Sequence, residues 1–204
     1  MTIKDTFYHD MAVKPSGMVD HLSGAQWAKL APLMTQHERF TPGTVISRRG
    51  DFLDHSLLLL DGLIARSVPR GQRARSTFVA LQFPGEFVDL HAFPLKQLDH
   101  DVISLTDTHV AIISHEPLRE LLNGDVEMAR KLWLMTLVDA SIHRHWVMRN
   151  SAMRALARVA NFLSEFDARM TAAYGMERQS LPFSLRQTDI ADATGLTSVH
   201  VSRT

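Results

Sequence analysis

The hydrophobic period changes twice along this chain. From Ser23 to about Gln36, Trp27, Leu30, Ala31 and Met34 recur at helical spacing, which predicts one amphipathic helix. The runs Thr44–Ile46, Ser56–Leu60, Phe78–Leu81, Asp101–Leu105 and His109–Ile113 then follow. They are punctuated by Pro42-Gly43, Gly50-Asp51, Asp61-Gly62, Arg70-Gly71 and Pro84-Gly85. Short strands at that rhythm, with turn chemistry between them, predict an antiparallel β-barrel or jelly roll. After Ser114 the β signal stops. Pro117 suits the first turn of a short helix that ends near Gly124. Asp125 to about Asn150 then runs without Gly or Pro. Within it Met128, Leu132, Met135, Asp139, Ile142, Trp146 and Arg149 alternate steps of four and three. That is a heptad seam, and it predicts a dimer interface on Met128, Leu132, Met135, Asp139, Ile142 and Trp146. Leu134, Leu137 and Val138 mark another face, so one side of the helix would pack on the barrel and one on a partner. A core helix of a monomer would show the same seam. Leu156, Val159, Ala160, Leu163 and Phe166 give a further amphipathic helix from Met153 to about Ala173.

The last eighteen residues carry the most specific pattern. Gln187 to Thr194 makes two helical turns with Ile190, Ala191 and Thr194 inward, and Ala191 is small where a second helix must cross. Gly195 stands where a tight turn needs a positive φ. Leu196 plugs the corner, Thr197 caps the second helix and Val201 returns to the core. A DNA-reading helix-turn-helix needs each of these steps; a plain αα-corner is the alternative. The predicted architecture is α+β, in three parts. Residues 1–124 make a barrel sensor domain with an N-terminal helix, 125–150 a dimerisation helix, and 151–204 a helix-turn-helix domain.

Composition narrows the chemistry. Lys plus Arg equals Asp plus Glu, at 22 each, so no overall field draws the protein to nucleic acid or membrane. The absence of cysteine excludes disulfides, thiolate redox chemistry, cysteine-ligated iron–sulfur clusters and Cys-type zinc sites. No window reaches the roughly 18 apolar residues of a membrane span, and the N-terminus lacks a signal-peptide core. A cytoplasmic protein is expected. Eleven histidines raise metal or haem binding, yet His143 and His145 are two apart, and His91, His100 and His109 are scattered through the barrel. No pair has the i, i+4 spacing of a helical metal site, so neither metal nor cofactor is expected. The barrel also lacks the His-x-His of a cupin, so no enzyme is expected. Arg66, Arg70, Arg73 and Arg75 read as a solvated hairpin.

The order of barrel, long helix and helix-turn-helix resembles the Crp/Fnr superfamily, the cyclic-AMP receptor protein and its relatives. Pro42-Gly43, Gly50, Asp61-Gly62 and Pro84-Gly85-Glu86-Phe87 match the family's barrel glycines in order and approximate spacing. Gly195 to Thr204 is similar to its recognition helix, and the likeness runs from about residue 24 to the end. It implies a transcription regulator in which Ser198, Val199 and Arg203 read bases while Thr188, Thr197 and His200 lie near phosphates. Val199 departs from the glutamate of many relatives, which implies a different operator. Cyclic-AMP-binding relatives carry Gly-Glu and a downstream Arg-Ser or Arg-Thr. Here the region reads Phe87-Val-Asp89-Leu-His91-Ala-Phe93, and Leu98-Asp-His-Asp101 stands where the arginine is due. The effector is therefore expected not to be cyclic AMP, with a pocket around Glu86, Asp89, His91 and Phe93. The implied partners are a palindromic DNA operator, a second copy of the chain and RNA polymerase. The alternative is a small-molecule or haem-binding sensor whose DNA-binding part is vestigial or truncated. Relatives continue from the recognition helix into a β wing, so at Thr204 the winged helix is expected to be cut short.

Overall fold

The computed structural model describes residues 22–69, 76–174 and 185–204. The apolar runs of the first half form seven strands: β1 (Gln36–Phe40), β2 (Val45–Ser47), β3 (His55–Asp61), β4 (Ile64–Pro69), β5 (Ser76–Gln82), β6 (Asp101–Ser104) and β7 (Thr108–Ser114). They pair antiparallel in two sheets, ordered β1-β7-β3 and β2-β6-β4-β5. Leu57, Leu59, Ile64, Val102 and Val110 fill the space between the sheets. This is the jelly-roll form of the prediction; among the described strands no ladder closes the two sheets into one barrel. The β3–β4 turn depends on Gly62, held at φ +89°, where a Cβ would be driven into the Asp107 carbonyl and the Thr106 hydroxyl.

Seven helices accompany the sheets among the described residues: α1 (Gly24–Leu30), α2 (Ala92–Leu95), α3 (His115–Gly124), α4 (Val126–Ala152), α5 (Ala155–Tyr174), α6 (Gln187–Thr194) and α7 (Ser198–Arg203). Ser23 and Gln26 form a reciprocal capping box at the start of α1. The predicted first helix was too long. It gives way at Leu30 to a single 3-10 turn, Ala31–Leu33, and Gln36 already belongs to β1. The sequence of β1, Gln-His-Glu-Arg-Phe, has no apolar alternation; its ladder with β7 makes it a strand. At α4, Asp125 accepts from the Met128 N–H at 3.0 Å and pairs with Lys29 of α1. None of the described helices is long and apolar enough to cross a membrane.

The heptad on α4 is a real face, but the structure corrects what it packs against. Met128, Leu132 and Met135 are buried with Trp27 and Leu30 of α1 and with Leu58, Leu60, Ala111 and Ile113 of the jelly roll. Trp146 lies among Phe162 and Phe166 of α5, Ile190 and Ala193 of α6, and Phe78 and Leu81 of β5, with Ile142 at its edge. Asp139 pairs with Arg66 of β4. The predicted dimer seam is therefore this protomer's own interface between sheet and helix. A periodic pattern shows which residues share a face, not which surface covers it. The opposite side of α4 exposes Val126, Trp133, Leu134, Leu137, Val147 and Met148. Of these, Val126, Trp133, Leu137 and Val147 stand seven, four and ten residues apart in turn, the spacing of a second heptad stripe.

Candidate functional site

Two places carry the chemistry. The first is the C-terminal helix pair. Asp189 accepts from the backbone N–H of Arg186 at 2.8 Å and is gripped by its guanidinium, which organises the start of α6. Gly195 ends α6 in the left-handed region at φ +67°, and both Gly195 and Leu196 donate backbone N–H groups to Ala191. Thr197 then accepts from the His200 N–H at 3.1 Å and starts α7. Val201 packs inward onto the cluster around Trp146. Arg158 of α5 donates to the Thr194 carbonyl at 3.0 Å and Asn150 of α4 to that of Ala193 at 3.2 Å, so the pair is anchored on the preceding helices. Thr188, Thr197, Val199, His200 and Arg203 all face solvent, Val199 with 59 % of its surface, and Ser198 is half-buried.

The second place is a cleft of about 700 Å³ between the β4–β5 face and α4, whose lining includes Arg66, His91, Asp99, His100, Asp139 and His143. At its floor Arg66, only 2 % exposed, donates from Nε to the Val88 carbonyl at 2.6 Å and from Nη1 to Asp139 at 2.6 Å. Burial opposes the Asp139 charge, but the Arg66 guanidinium prevails and holds the carboxyl below the usual range. His143 of α4 completes this end, with Nε2 3.5 Å from Arg66 Nη1. His91 and His100 approach with ring centroids 5.2 Å apart. Asp99 lies 2.6 Å from Nδ1 of His100. The Nε2 atoms of both rings are buried with no hydrogen-bond partner among the described residues. Burial and the Arg66 charge push His91 down to about 3, and the same two causes lower His100. Both rings are neutral at physiological pH.

Of the four predicted pocket residues, only His91 lines this cleft. Glu86 turns away, accepting from the Phe83 N–H at 3.1 Å and from Arg169 of α5 at 2.7 Å. Burial raises its pKa in spite of Arg169. Asp89 is fully buried under β3, accepting from the Leu57 N–H at 2.8 Å, and burial lifts its pKa to about 6. Phe93 packs edge-on against His115, with Lys96 above its ring. Arg66 is the opposite correction, for it is a buried floor residue and no part of a solvated hairpin. Arg70, Arg73 and Arg75 lie outside the described residues. His91 and His100 are brought together by the turns between α2 and β6, whereas His109 lies apart, 3.2 Å from His37 on the β1–β7 pair. Sequence reasoning named Arg66, Asp99, His100 and His143 but assigned none of them to a pocket. An arginine in the middle of a strand (Ile64-Ala-Arg66-Ser-Val) was the one signal that could have exposed the first of them.

Residues 37–125 match the cyclic nucleotide-binding domain family. The nitrogen fixation regulation protein FixK of Bradyrhizobium diazoefficiens is 23 % identical over 200 residues, covering 97 % of this chain and 81 % of that protein. Among solved structures, FixK2 from Bradyrhizobium japonicum superposes with a TM-score of 0.70 at 22 % identity, covering 82 % of this chain and 81 % of that one. The c-di-GMP-responsive global regulator CLP of Xanthomonas campestris superposes with a TM-score of 0.67 at 15 % identity, covering 89 % of each chain. A CRP-family transcriptional regulator from Thermus thermophilus gives 0.66 at 18 % identity, covering 81 % of this chain and 80 % of that one. In its order of jelly roll, long helix and terminal helix pair, the chain shares the fold of these regulators of the CRP and FixK kind.

Proposed function

We propose that the protein is a DNA-binding transcription regulator without catalytic activity, which acts in the cytoplasm as a dimer and answers to an effector other than cyclic AMP. The observation that carries this reading is the helix-turn-helix, whose second helix is capped by Thr197 and presents Val199, His200 and Arg203 to solvent. A guanidinium fork matches guanine O6 and N7 in the major groove, so Arg203 is the base reader. Thr188, Thr197 and His200 face phosphates, and Ser198 and Val199 complete the reading face, Val199 against a thymine methyl. The exposed stripe from Val126 through Trp133 and Leu137 to Val147 supports a second copy as the partner along α4. The cleft floor supports the exclusion of cyclic AMP, because Asp139 neutralises the one arginine that lines it among the described residues.

The test is a binding-site selection on the full-length protein, wild type against Arg203→Ala. The expected result is a palindrome with half-sites about one helical turn, roughly 34–36 Å, apart. Its preference should flatten at one symmetric base pair in the variant. Thr197→Ala should instead weaken all sites about equally. The absence of any enriched palindrome would overturn the reading, and equal preferences in the two proteins would remove Arg203 as the reader.

A further inference from the structure

We propose that His91, His100 and Asp99 form a binding site for a divalent transition metal of the zinc, cobalt or nickel class at the side of the cleft between the jelly roll and α4. The three residues each place one ligand atom within 4.8 Å of the other two. Two imidazole nitrogens and a carboxylate oxygen suit these ions, while magnesium and calcium prefer an all-oxygen set. A tetrahedral ion with bonds of about 2.0–2.1 Å needs its donors roughly 3.3–3.5 Å apart. Closing the remaining gap asks for side-chain movement. Asp99 can supply most of that movement, because its side chain is 86 % exposed.

A second observation, independent of the clustering, points to a ligand. Buried polar atoms are nearly always hydrogen-bonded. Here Nε2 of His91 and Nε2 of His100 are buried with no partner among the described residues, and His100 as a whole is 4 % exposed. The Asp99 carboxylate engages Nδ1 of His100 at 2.6 Å, which places the ring proton there and leaves Nε2 with a bare lone pair. As a ligand to the ion Asp99 would give up this contact and swing toward the two Nε2 atoms, a movement its exposure allows. The nearest cation, Arg66, does not stand as an uncompensated charge against the ion, since Asp139 meets it at 2.6 Å. Three protein ligands leave at least one position open toward the cleft for water or a small chelating molecule. The site rests on the cleft's own geometry and does not depend on DNA binding.

The test uses the metal-free full-length protein, titrated with Zn²⁺ by calorimetry and with Co²⁺ by visible absorption. One ion per chain is expected, with the intense visible bands of low-coordinate cobalt. His91→Ala and His100→Ala should each weaken affinity at least about 100-fold, and Asp99→Asn at least about tenfold. Because Asp99 is exposed, its variant should melt like the wild type without metal, which separates loss of the site from loss of the fold. His37→Ala, at the other close histidine pair, should bind as the wild type does. Three outcomes would each overturn the proposal: no saturable binding, unchanged affinity in both Asp99→Asn and His100→Ala, or loss confined to His37→Ala.

Discussion

Trp133→Ala tests the proposal that this chain pairs with a second copy along α4. Trp133 lies on the outer face of α4 with 65 % of its surface exposed, between Val126 and Leu137. A fully buried tryptophan removes up to about 150–250 Å² from water, so roughly 100–160 Å² of this side chain remains to be covered. At about 25 cal/mol per Å² that is roughly 2.5–4 kcal/mol for each protomer. Both protomers of a two-fold dimer lose it, which doubles the effect. Even if half is recovered by collapse of the interface, about 2.7 kcal/mol is lost, a rise of about 100-fold in the dimer dissociation constant. Sedimentation velocity over a dilution series measures it. Trp146→Ala is the necessary contrast. That indole is buried edge-on against Phe162, lies 4.4 Å below the Arg149 guanidinium and donates to Glu165 at 2.9 Å. Its loss should cost roughly 3–5 kcal/mol of fold stability, read as a lower urea midpoint. The reasoning fails if the wild type is a monomer at micromolar concentration, or if Trp133→Ala associates as tightly as the wild type.

The remaining predictions concern stability. Asp139→Ala leaves the Arg66 charge buried without its carboxylate and should cost roughly 3–5 kcal/mol, with Arg66→Met in the same chain restoring part of it; urea unfolding of the single and double variants decides. Gly62→Ala must place a Cβ at φ +89° against the Asp107 carbonyl and should cost at least about 1–3 kcal/mol, so an unchanged melting temperature would contradict the turn geometry. His115, 3.0 Å from the Ser56 hydroxyl, has its pKa lowered from 6.5 to about 4 by burial and by the Lys96 charge. Below 6.5 the unfolded chain takes up a proton that the native state refuses, so stability is complete above that pH and falls as the pH drops toward 4. His115→Gln should make that fall shallower, and identical slopes in urea titrations across the window would refute the assignment.

The helix-turn-helix was legible in the sequence because its determinants are local. A glycine that must take positive φ at 195, a threonine cap at 197 and an inward Val201 act within a few residues of one another, and each sits as the local rules require. The jelly-roll strands that alternate or run apolar were legible for the same reason, and so was the inward face of α4. What that face touches was not, because a heptad specifies a stripe and leaves its cover to whichever surface arrives. The sheets of the same protomer arrived, leaving the Trp133 stripe outward. β1 became a strand through its ladder with β7 against its own polar pattern. The cleft needed tertiary structure most. Arg66 and Asp139 are 73 residues apart, so no local pattern pairs them. His91, Asp99 and His100 meet only because the turn after α2 folds back before β6. Local rules act through neighbouring backbone groups, whereas a buried charge or an orphaned imidazole is decided by what the fold brings against it from elsewhere in the chain.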